Sequence, residues 1–520
     1  MPISQQGSVN TTSLIVPDLY VQIVPPQNLV LNGVPTNILG VVGTASWGPV
    51  DEPAIVATMA DYAQQFGSVV PRKYDMGTQV ATAVQQGAQN FRCVRVTDGT
   101  DAAAYTTVPG SNASFTAIYT GSLGNNVTLT LKAGSQPNTW VLSVLLPGFV
   151  PEIYDGLTGN GAAFWTGLAA AVNSGLGPQR GPSLLIIASS GGTTASPAPF
   201  SLTLGASGAG SDGATQVVSN QLVGGDTLSR SGMYALRGQG CGLALLADCD
   251  DNTTWTTQAA FGLNEGIYMI LTTPAGDTIT NAVTTMAAAG LDSYGAKLMF
   301  GDWLWWSDQV NDTVRLVSPQ GFAAGRLANL SPEQSSLNKQ IYGIIGSQRT
   351  GSPGSGQNTT YASADLSALL GAGLDLICNP QPGGSYWGVR GGNNTSSNAA
   401  IDGDNYTRLT NYIAETLAAG MGQYVGQVIN TNLFQRIRST QLSFLNNMYG
   451  QGLLGSTDGS LPFSVICDTS NNPLSRTGLG YVQSDAQVQY QAINERFIVN
   501  VEGGQTVQVS VQTLPTGQVN

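Results

Sequence analysis

The segment Asn37–Ala45, NILGVVGTA, decides how the first part of this chain is read. It is an apolar run punctuated by glycines, the pattern of a strand buried on both faces of a sheet. Ile55–Gly67, IVATMADYAQQFG, then closes as a short helix that Gly67 stops as a C′ residue. A second helix is predicted over Gly77–Gln86, ended by Gly87, and FRCVRV (Phe91–Val96) supplies another strand. Strand, helix, helix, strand is the order of a parallel crossover. The same texture resumes at Cys241. GLALLADC, GIYMILTTP and AKLMFGDWLWW are three more apolar strand candidates. Helices are expected at Pro319–Leu330, where Pro is harmless in the first turn, and at Ala362–Gly373, running into LDLICNP.

The intervening stretch reads differently. FTAIYTGSLGNNVTLTLKAG and TWVLSVLLPG alternate polar and apolar residues and are separated by GNN and PN turn signals, with one helix at Ala162–Asn173. After residue 380 the texture changes again. Asp404 is placed to cap a helix whose apolar face is Tyr406, Leu409, Ile413 and Leu417 and which Gly420 ends. A second helix spans Asn432–Tyr449, with Leu433, Ile437, Phe444 and Met448 on one side, and a strand follows at Phe463–Cys467. The resulting division is an extended arm over 1–30, a discontinuous α/β domain over 31–100 and 231–380, and a β-rich insertion over 101–230. An α+β domain over 381–496 and a second arm over 497–520 complete it.

Composition bounds the function. At 520 residues the chain exceeds one ordinary core. Histidine is absent, which removes Ser-His-Asp and Cys-His catalysis, His-ligated metals and an imidazole switch. Charged residues are 10%, against about 25% in typical proteins, so a monomer must rely on amides, hydroxyls or copies of itself to cover its surface. With 19 basic and 31 acidic residues, net −12, nucleic acid is not an expected partner. Five scattered cysteines without a CxxC pair read as reduced core thiols. The opening MPISQQGSVNTT lacks the features of a secretory signal, and no apolar run is long enough to span a bilayer.

Three motifs invite chemistry. VVGTASWGPV spaces Gly43 and Gly48 like a phosphate-binding loop, but Pro49 and Val50 replace the required Lys and Ser/Thr, leaving a turn after a strand. ADCDDN (Ala247–Asn252) collects three carboxylates without EF-hand spacing, and is expected to cap the next helix. GDWLWWSD (Gly301–Asp308) holds three of eight tryptophans, as core or subunit contact rather than a sugar platform. A glycan hydrolase would need paired acids, for which Asp250 with Asp251 and Asp302 with Asp308 are the candidates. No cofactor or metal is called for.

The termini carry a different signal. Leu19, Val21 and Ile23 alternate in a nearly uncharged N-terminal arm that begins its apolar pattern at Leu14. Phe497, Val499 and Val501 share one face of a strand, and Val507, Val509 and Val511 share a face of the next, with no charge after Glu502. Such strands either fold back on their own domain or add to the sheet of a neighbour.

Taken in order, GVPTNILGVVGTASWGPVDEPAIVATMADYAQQFG (Gly33–Gly67), QGAQNFRCVRV (Gln86–Val96), YTGSLGNNVTLTL (Tyr119–Leu131), LVGGDTLSRSGMYAL (Leu222–Leu236) and NPQPGGSYWGVRG (Asn379–Gly391) resemble blocks of the contractile tail sheath proteins of bacteriophages. In the last block Gly391 stands where the family commonly has Thr. The resemblance implies a subtilisin-like topology in the α/β domain, with peptidase chemistry independently excluded by the missing histidines. It implies a homo-oligomer of stacked hexameric rings in a six-start helix around a tail tube protein, joined to baseplate and tail terminator proteins, without membrane insertion. It also implies arms that link subunits through strand addition to the C-terminal domain, an outward-facing insertion, and contraction that drives the tube through a bacterial envelope. A phage-derived machine, such as a pyocin-like particle or a secretion apparatus, fits the same blocks. Arg408, Arg436 and Arg438 are candidates for tube contact or, alternatively, for pairing with acidic groups between sheath subunits.

Overall fold

A computed structural model describes residues 3–4, 21–22 and 31–501. Its centre is a seven-stranded sheet. The strands are β1 (Leu39–Gly43), β2 (Pro53–Val56), β3 (Phe91–Arg95), β4 (Leu243–Leu246), β5 (Tyr268–Thr272), β6 (Ala296–Met299) and β7 (Leu374–Asp375). They lie side by side in the order β7-β6-β5-β4-β1-β3-β2. Every neighbouring pair is parallel except β2 on β3, an antiparallel edge. The pairing of β4 with β1, from Leu243 opposite Leu39 to Leu246 opposite Val42, joins segments two hundred residues apart.

Alternation along each strand feeds two cores. Leu39, Val41, Leu243 and Leu245 point to one side, where helices α1 (Met59–Phe66), α2 (Met76–Gln85) and α5 (Gln320–Ala328) pack. Val42, Ala244, Leu246 and Leu271 point to the other, covered by α3 (Trp255–Glu265), α4 (Ile279–Ala289) and α6 (Ser363–Gly371). Burial on both faces is why these strands read as apolar runs rather than alternating ones. The helix starts are chemically fixed. Thr58 and Asp61 form a reciprocal capping box at α1, and Asp75 accepts from the Thr78 N–H at α2. Where α5 crosses α2, Gly325 lies against the Ala83 backbone, and a Cβ there would stand 2.4 Å from the Ala83 Cα.

Residues 105–203 form two antiparallel sheets with their own core around Phe115, Leu129, Leu142, Tyr154 and Phe164. One helix, Gly161–Ser174, packs on them. Two expectations change. AKLMFGDWLWW is not one strand: β6 ends at Met299, and Leu304–Asp308 joins a separate antiparallel sheet with Thr313–Val317 and Ile344–Ser347. The bend is at Gly301, where a Cβ would fall 1.9 Å from the Pro274 carbonyl oxygen. Nor does Gly420 end its helix. Helix α7 runs Asp404–Met421, and Gly420 makes room for Leu31, whose Cδ2 would be 2.2 Å from an added Cβ. Helix α8 (Thr431–Gly450) carries on its apolar side a two-stranded antiparallel sheet, Phe463–Ile466 with Asp485–Val488. No described helix is long and apolar enough to cross a membrane.

Candidate functional site

The residues that suggested catalysis are each engaged by local partners. Asp302 accepts hydrogen bonds from Ser347 Oγ (2.9 Å), Tyr361 Oη (2.8 Å) and the Arg349 N–H (2.9 Å), and burial raises its pKa. Asp308 is bound by Asn311 Nδ2 at 2.8 Å and Arg315 Nε at 2.9 Å. Burial opposes its ionisation, but these bonds outweigh it and hold its pKa low. Asp250 pairs with Lys73 at 2.9 Å, and Asp251 caps the turn at Asn252–Thr254 by accepting from the Thr253 N–H. The tryptophans do not form a platform. Trp303 and Trp306 are buried, donating to the Thr273 carbonyl and to Gln85 Oε1.

At the C-terminal side the geometry is of another kind. The sheet Phe463–Ile466/Asp485–Val488 turns Phe463 and Val465 inward onto Phe444, Leu445 and Met448. Among the described residues each of its strands has only one neighbour, so both outer edges keep free backbone donors and acceptors. Beyond it, Tyr490 stacks edge-on against Tyr406 of α7, which in turn meets Tyr294, with centroids 5.7 Å apart in both pairs. After this clamp residues 491–501 form no helix or strand among the described residues. Phe497, Val499 and Val501 are 82%, 64% and 85% exposed, and Ile498 is 80% exposed. Among the described residues no ladder partner lies beside Phe497–Val501, and the expected strand is not formed there. Val21 falls in a two-residue parallel pairing with Ile3. Leu14, Leu19, Ile23, Val507, Val509 and Val511 lie outside the described residues.

The three arginines separate. Arg408 is buried in the single chain, and its guanidinium donates to the Leu330 carbonyl at 2.7 Å and the Ser331 carbonyl at 2.9 Å, beyond the end of α5. Burial lowers its pKa to about 10. Arg436 and Arg438 stand exposed on α8, Arg436 over the Tyr424 ring and bonded to Gln427.

Sequence reading missed the joint between the central sheet and α7. Lys297, in the middle of β6, is fully buried. Its Nζ reaches Asp375 at 2.5 Å, Asp404 at 3.0 Å and the Asn393 carbonyl at 3.0 Å. Asp404, in the first turn of α7, also accepts from Tyr268 Oη at 2.7 Å and from Ser336. Asp375 accepts from the N–H groups of Gly391 (2.8 Å) and Gly392 (2.7 Å). Burial pulls the Lys297 ammonium down, but the charges of Asp375 and Asp404 outweigh it and raise its pKa. Burial likewise pushes the Asp404 carboxyl up, and the Lys297 charge with the Ser336 and Tyr268 hydrogen bonds brings it below the usual carboxylate value. A lone lysine within a strand buried on both faces was the available signal, since such a charge persists only with buried carboxylates.

A scan of protein-family models gives no match, and neither does a search of curated proteins. Solved structures do match. A sheath tail protein from Desulfitobacterium hafniense superposes at TM-score 0.57 and 17% identity, over 86% of this chain and 93% of that one. A sheath tail protein from Listeria innocua gives 0.59 and 14%, over 85% and 90%. The contracted sheath complex of the extracellular contractile injection system PVC gives 0.53 and 10%, over 96% and 99%. The chain therefore has a mixed α/β, multi-sheet fold, which it shares with these sheath tail proteins and with the injection-system sheath.

Proposed function

We propose that this chain is the structural, non-enzymatic subunit of a contractile sheath, in a phage tail or a phage-derived injection machine. The observation that carries this reading is the pairing of a supply with a demand: an open-edged two-stranded sheet at the C-terminal side, and an exposed, apolar, unpaired tail leaving the same region. Strand addition from a neighbouring copy satisfies both, and at about 1 kcal/mol net per ladder bond a handful of bonds gives several kcal/mol before ordering costs. The N-terminal arm, Leu14–Val24, is read as the second tether.

In this proposal subunits stack as hexameric rings in a six-start helix around a tail tube protein, between baseplate and terminator. The domains are 31–100 with 231–380, the outward-facing insertion 101–230, and the tube-proximal 381–496. We read the α/β domain as subtilisin-like in topology, which its strand order supports. Contraction is a change between two interface arrangements of nearly rigid subunits, driving the tube through the envelope for genome ejection when the particle is a phage. The particle assembles in the host cytoplasm. Arg436 and Arg438, exposed on α8, are tube-contact candidates.

Deleting Thr506–Asn520 tests the tether. The full chain should form striated tubes visible by negative-stain electron microscopy, and the deletion should leave soluble monomers. Equal polymerisation of both would overturn the reading.

A further inference from the structure

Four buried polar atoms gather where α1 and α2 cover the ends of β1 and β3: Tyr62 Oη, Arg72 Nη2, Asp75 Oδ1 and Arg95 Nε. Among the described residues none of the four has a hydrogen-bond partner. Alternation along β3 points Arg95 to the same side as Phe91 and Cys93, into the core under the two helices. The other contacts of these side chains tie them together. Arg72 Nε donates to Thr44 Oγ1 at 3.1 Å, and the Thr44 backbone bonds the Tyr74 carbonyl and the Met76 N–H on either side of Asp75. Arg72 Nη1 and Arg95 Nη2 both grip Asp212, at its carboxylate (2.6 Å) and its carbonyl (3.1 Å). Asp75 caps α2 through Oδ2, which accepts from the Thr78 N–H at 2.8 Å and the Thr78 hydroxyl at 2.7 Å. Tyr62 Oη lies on the first turn of α2, where a Cβ on Gly77 would stand 3.0 Å from it.

An unmet buried polar group costs more than a made hydrogen bond returns. Buried side-chain polar atoms in native proteins are accordingly met by protein or by ordered water. The chemistry of these four specifies what meets them. Guanidinium N–H groups only donate, an ionised carboxylate oxygen only accepts, and a phenol does either. A water molecule is the complement of that set. Its lone pairs accept from Arg72 and Arg95, and its two O–H groups donate to Asp75 and Tyr62. It can also turn to serve Asp75 in either protonation state. A halide ion cannot, because beside an ionised Asp75 it would face a like charge.

We propose that one internal water molecule is bound here, held by Tyr62, Arg72, Asp75 and Arg95, as a fixed part of the fold. Its position gives it a task. Arg95 also donates to the carbonyls of Gly48 and Thr120, both at 2.7 Å, and Asp212 Oδ1 accepts from the Ser122 N–H at 2.7 Å. Thr120 and Ser122 lie between the strands Ser114–Ala117 and Thr128–Ala133 of the antiparallel sheets, and Asp212 follows their strand Phe200–Thr203. The water therefore joins the two guanidiniums that grip these sheets to the helix pair α1 and α2. It belongs to the single chain and stands whatever the chain assembles into.

Substitution and crystallography test it independently. Tyr62→Phe deletes one hydroxyl and keeps the ring. If that hydroxyl is bonded to water, its loss removes a hydrogen bond and leaves the water short of a partner. The ratio of folded to unfolded protein, read by urea unfolding of the full-length chain, should then fall about fivefold. Deleting a hydroxyl that has no partner would instead leave the ratio unchanged or raise it, and either result overturns the proposal. A crystal structure of the unsubstituted full chain, at a resolution that shows ordered solvent, does not depend on the variant. It should place one water within hydrogen-bond distance of at least three of the four atoms. Direct bonds among the four atoms with no water between them overturn the proposal. So does an anomalous peak at this position from crystals soaked in bromide, which would make the occupant an anion.

Discussion

Replacing Lys297 by Met removes the cation hydrogen-bonded to two buried carboxylates while keeping the length of the side chain. In the structure Lys297 is 0% exposed and sits 2.5 Å from Asp375 and 3.0 Å from Asp404, which are equally buried. Removing one partner of a buried ion pair costs roughly 3–5 kcal/mol, because the charge left behind has lost both water and counter-ion. Backbone N–H donors at Gly391 and Gly392 still serve Asp375, and Tyr268 and Ser336 still serve Asp404, so the loss should not exceed that range. At about 2–4 °C per kcal/mol for a domain of this size, the melting temperature of the monomer should fall by roughly 6–20 °C. Asp404→Asn in the Lys297→Met background should restore part of it, with a coupling energy of roughly 0.5–3 kcal/mol. The pH dependence has a definite sign. Because Asp404 is held below its usual pKa, its contribution is present above pH 3.8 and is lost as pH falls through the lower folded value. Without Lys297, burial dominates and Asp404 takes up its proton at higher pH, so the gap between variant and parent should narrow from pH 7 to pH 3.5. Urea unfolding followed by circular dichroism reads both quantities. A cost below about 1 kcal/mol, or a gap that stays constant with pH, would refute the reasoning.

Arg436→Glu with Arg438→Glu should leave stability within about ±0.5 kcal/mol, since both side chains are exposed, while co-sedimentation with tube polymers falls. Arg408→Met should do the reverse, costing roughly 1–3 kcal/mol by stripping donors from the Leu330 and Ser331 carbonyls. Gly325→Val should separate α5 from α2 and destabilise by roughly 1–3 kcal/mol, read by thermal melting. Asp75, whose pKa burial raises to about 7, makes stability decline as pH rises from about 4 to about 7, because the native state holds the proton more tightly than the unfolded chain. Asp75→Asn keeps the cap at α2 and should flatten that slope; an unchanged slope counts against the assignment.

The strands of the central sheet were legible because burial on both faces writes itself as an uninterrupted apolar run, as at Leu243–Leu246 and Tyr268–Thr272. Helix ends were legible within a residue or two where a cap marks them, as at Thr431–Gly450 behind Asn430. What local reading cannot supply is partnership. Nothing in NILGVVG says that its neighbour is Leu243–Leu246, and nothing near Asp404 says that its charge answers Lys297, 107 residues earlier. Asp404 looked like a cap and is instead a buried first-turn carboxylate. Arg408, one turn further on, is buried as well, which the apolar residues of its helix do not by themselves indicate. The arms illustrate the converse: their pattern is plain, but a strand exists only with a partner, and among the described residues none lies beside Phe497–Val501.

The absence of histidine has a narrower consequence than the sequence suggests. It removes an imidazole switch, but it does not leave the protein without near-neutral titration, because burial raises Asp75 to about 7 and Asp248 to about 6. Both belong to the seam between α2 and α5. Asp75 caps α2, and Gln79 of α2 donates to Asp248 while accepting from the Gly321 N–H of α5. Proton uptake near neutrality at these two carboxyls therefore acts on the chain's own core. The charge census points the same way. Ten charged side chains (Asp75, Arg95, Glu152, Asp248, Lys297, Asp302, Asp308, Asp375, Asp404 and Arg408) are buried, leaving a chain with 10% charged residues even fewer at its surface. Under the proposed function, an interface so poor in ions would repack between two arrangements without desolvating unpaired charges, whose burial costs several kcal/mol apiece. In that reading the buried ion pairs act within each subunit, and the contacts between subunits are left to apolar area and backbone ladders.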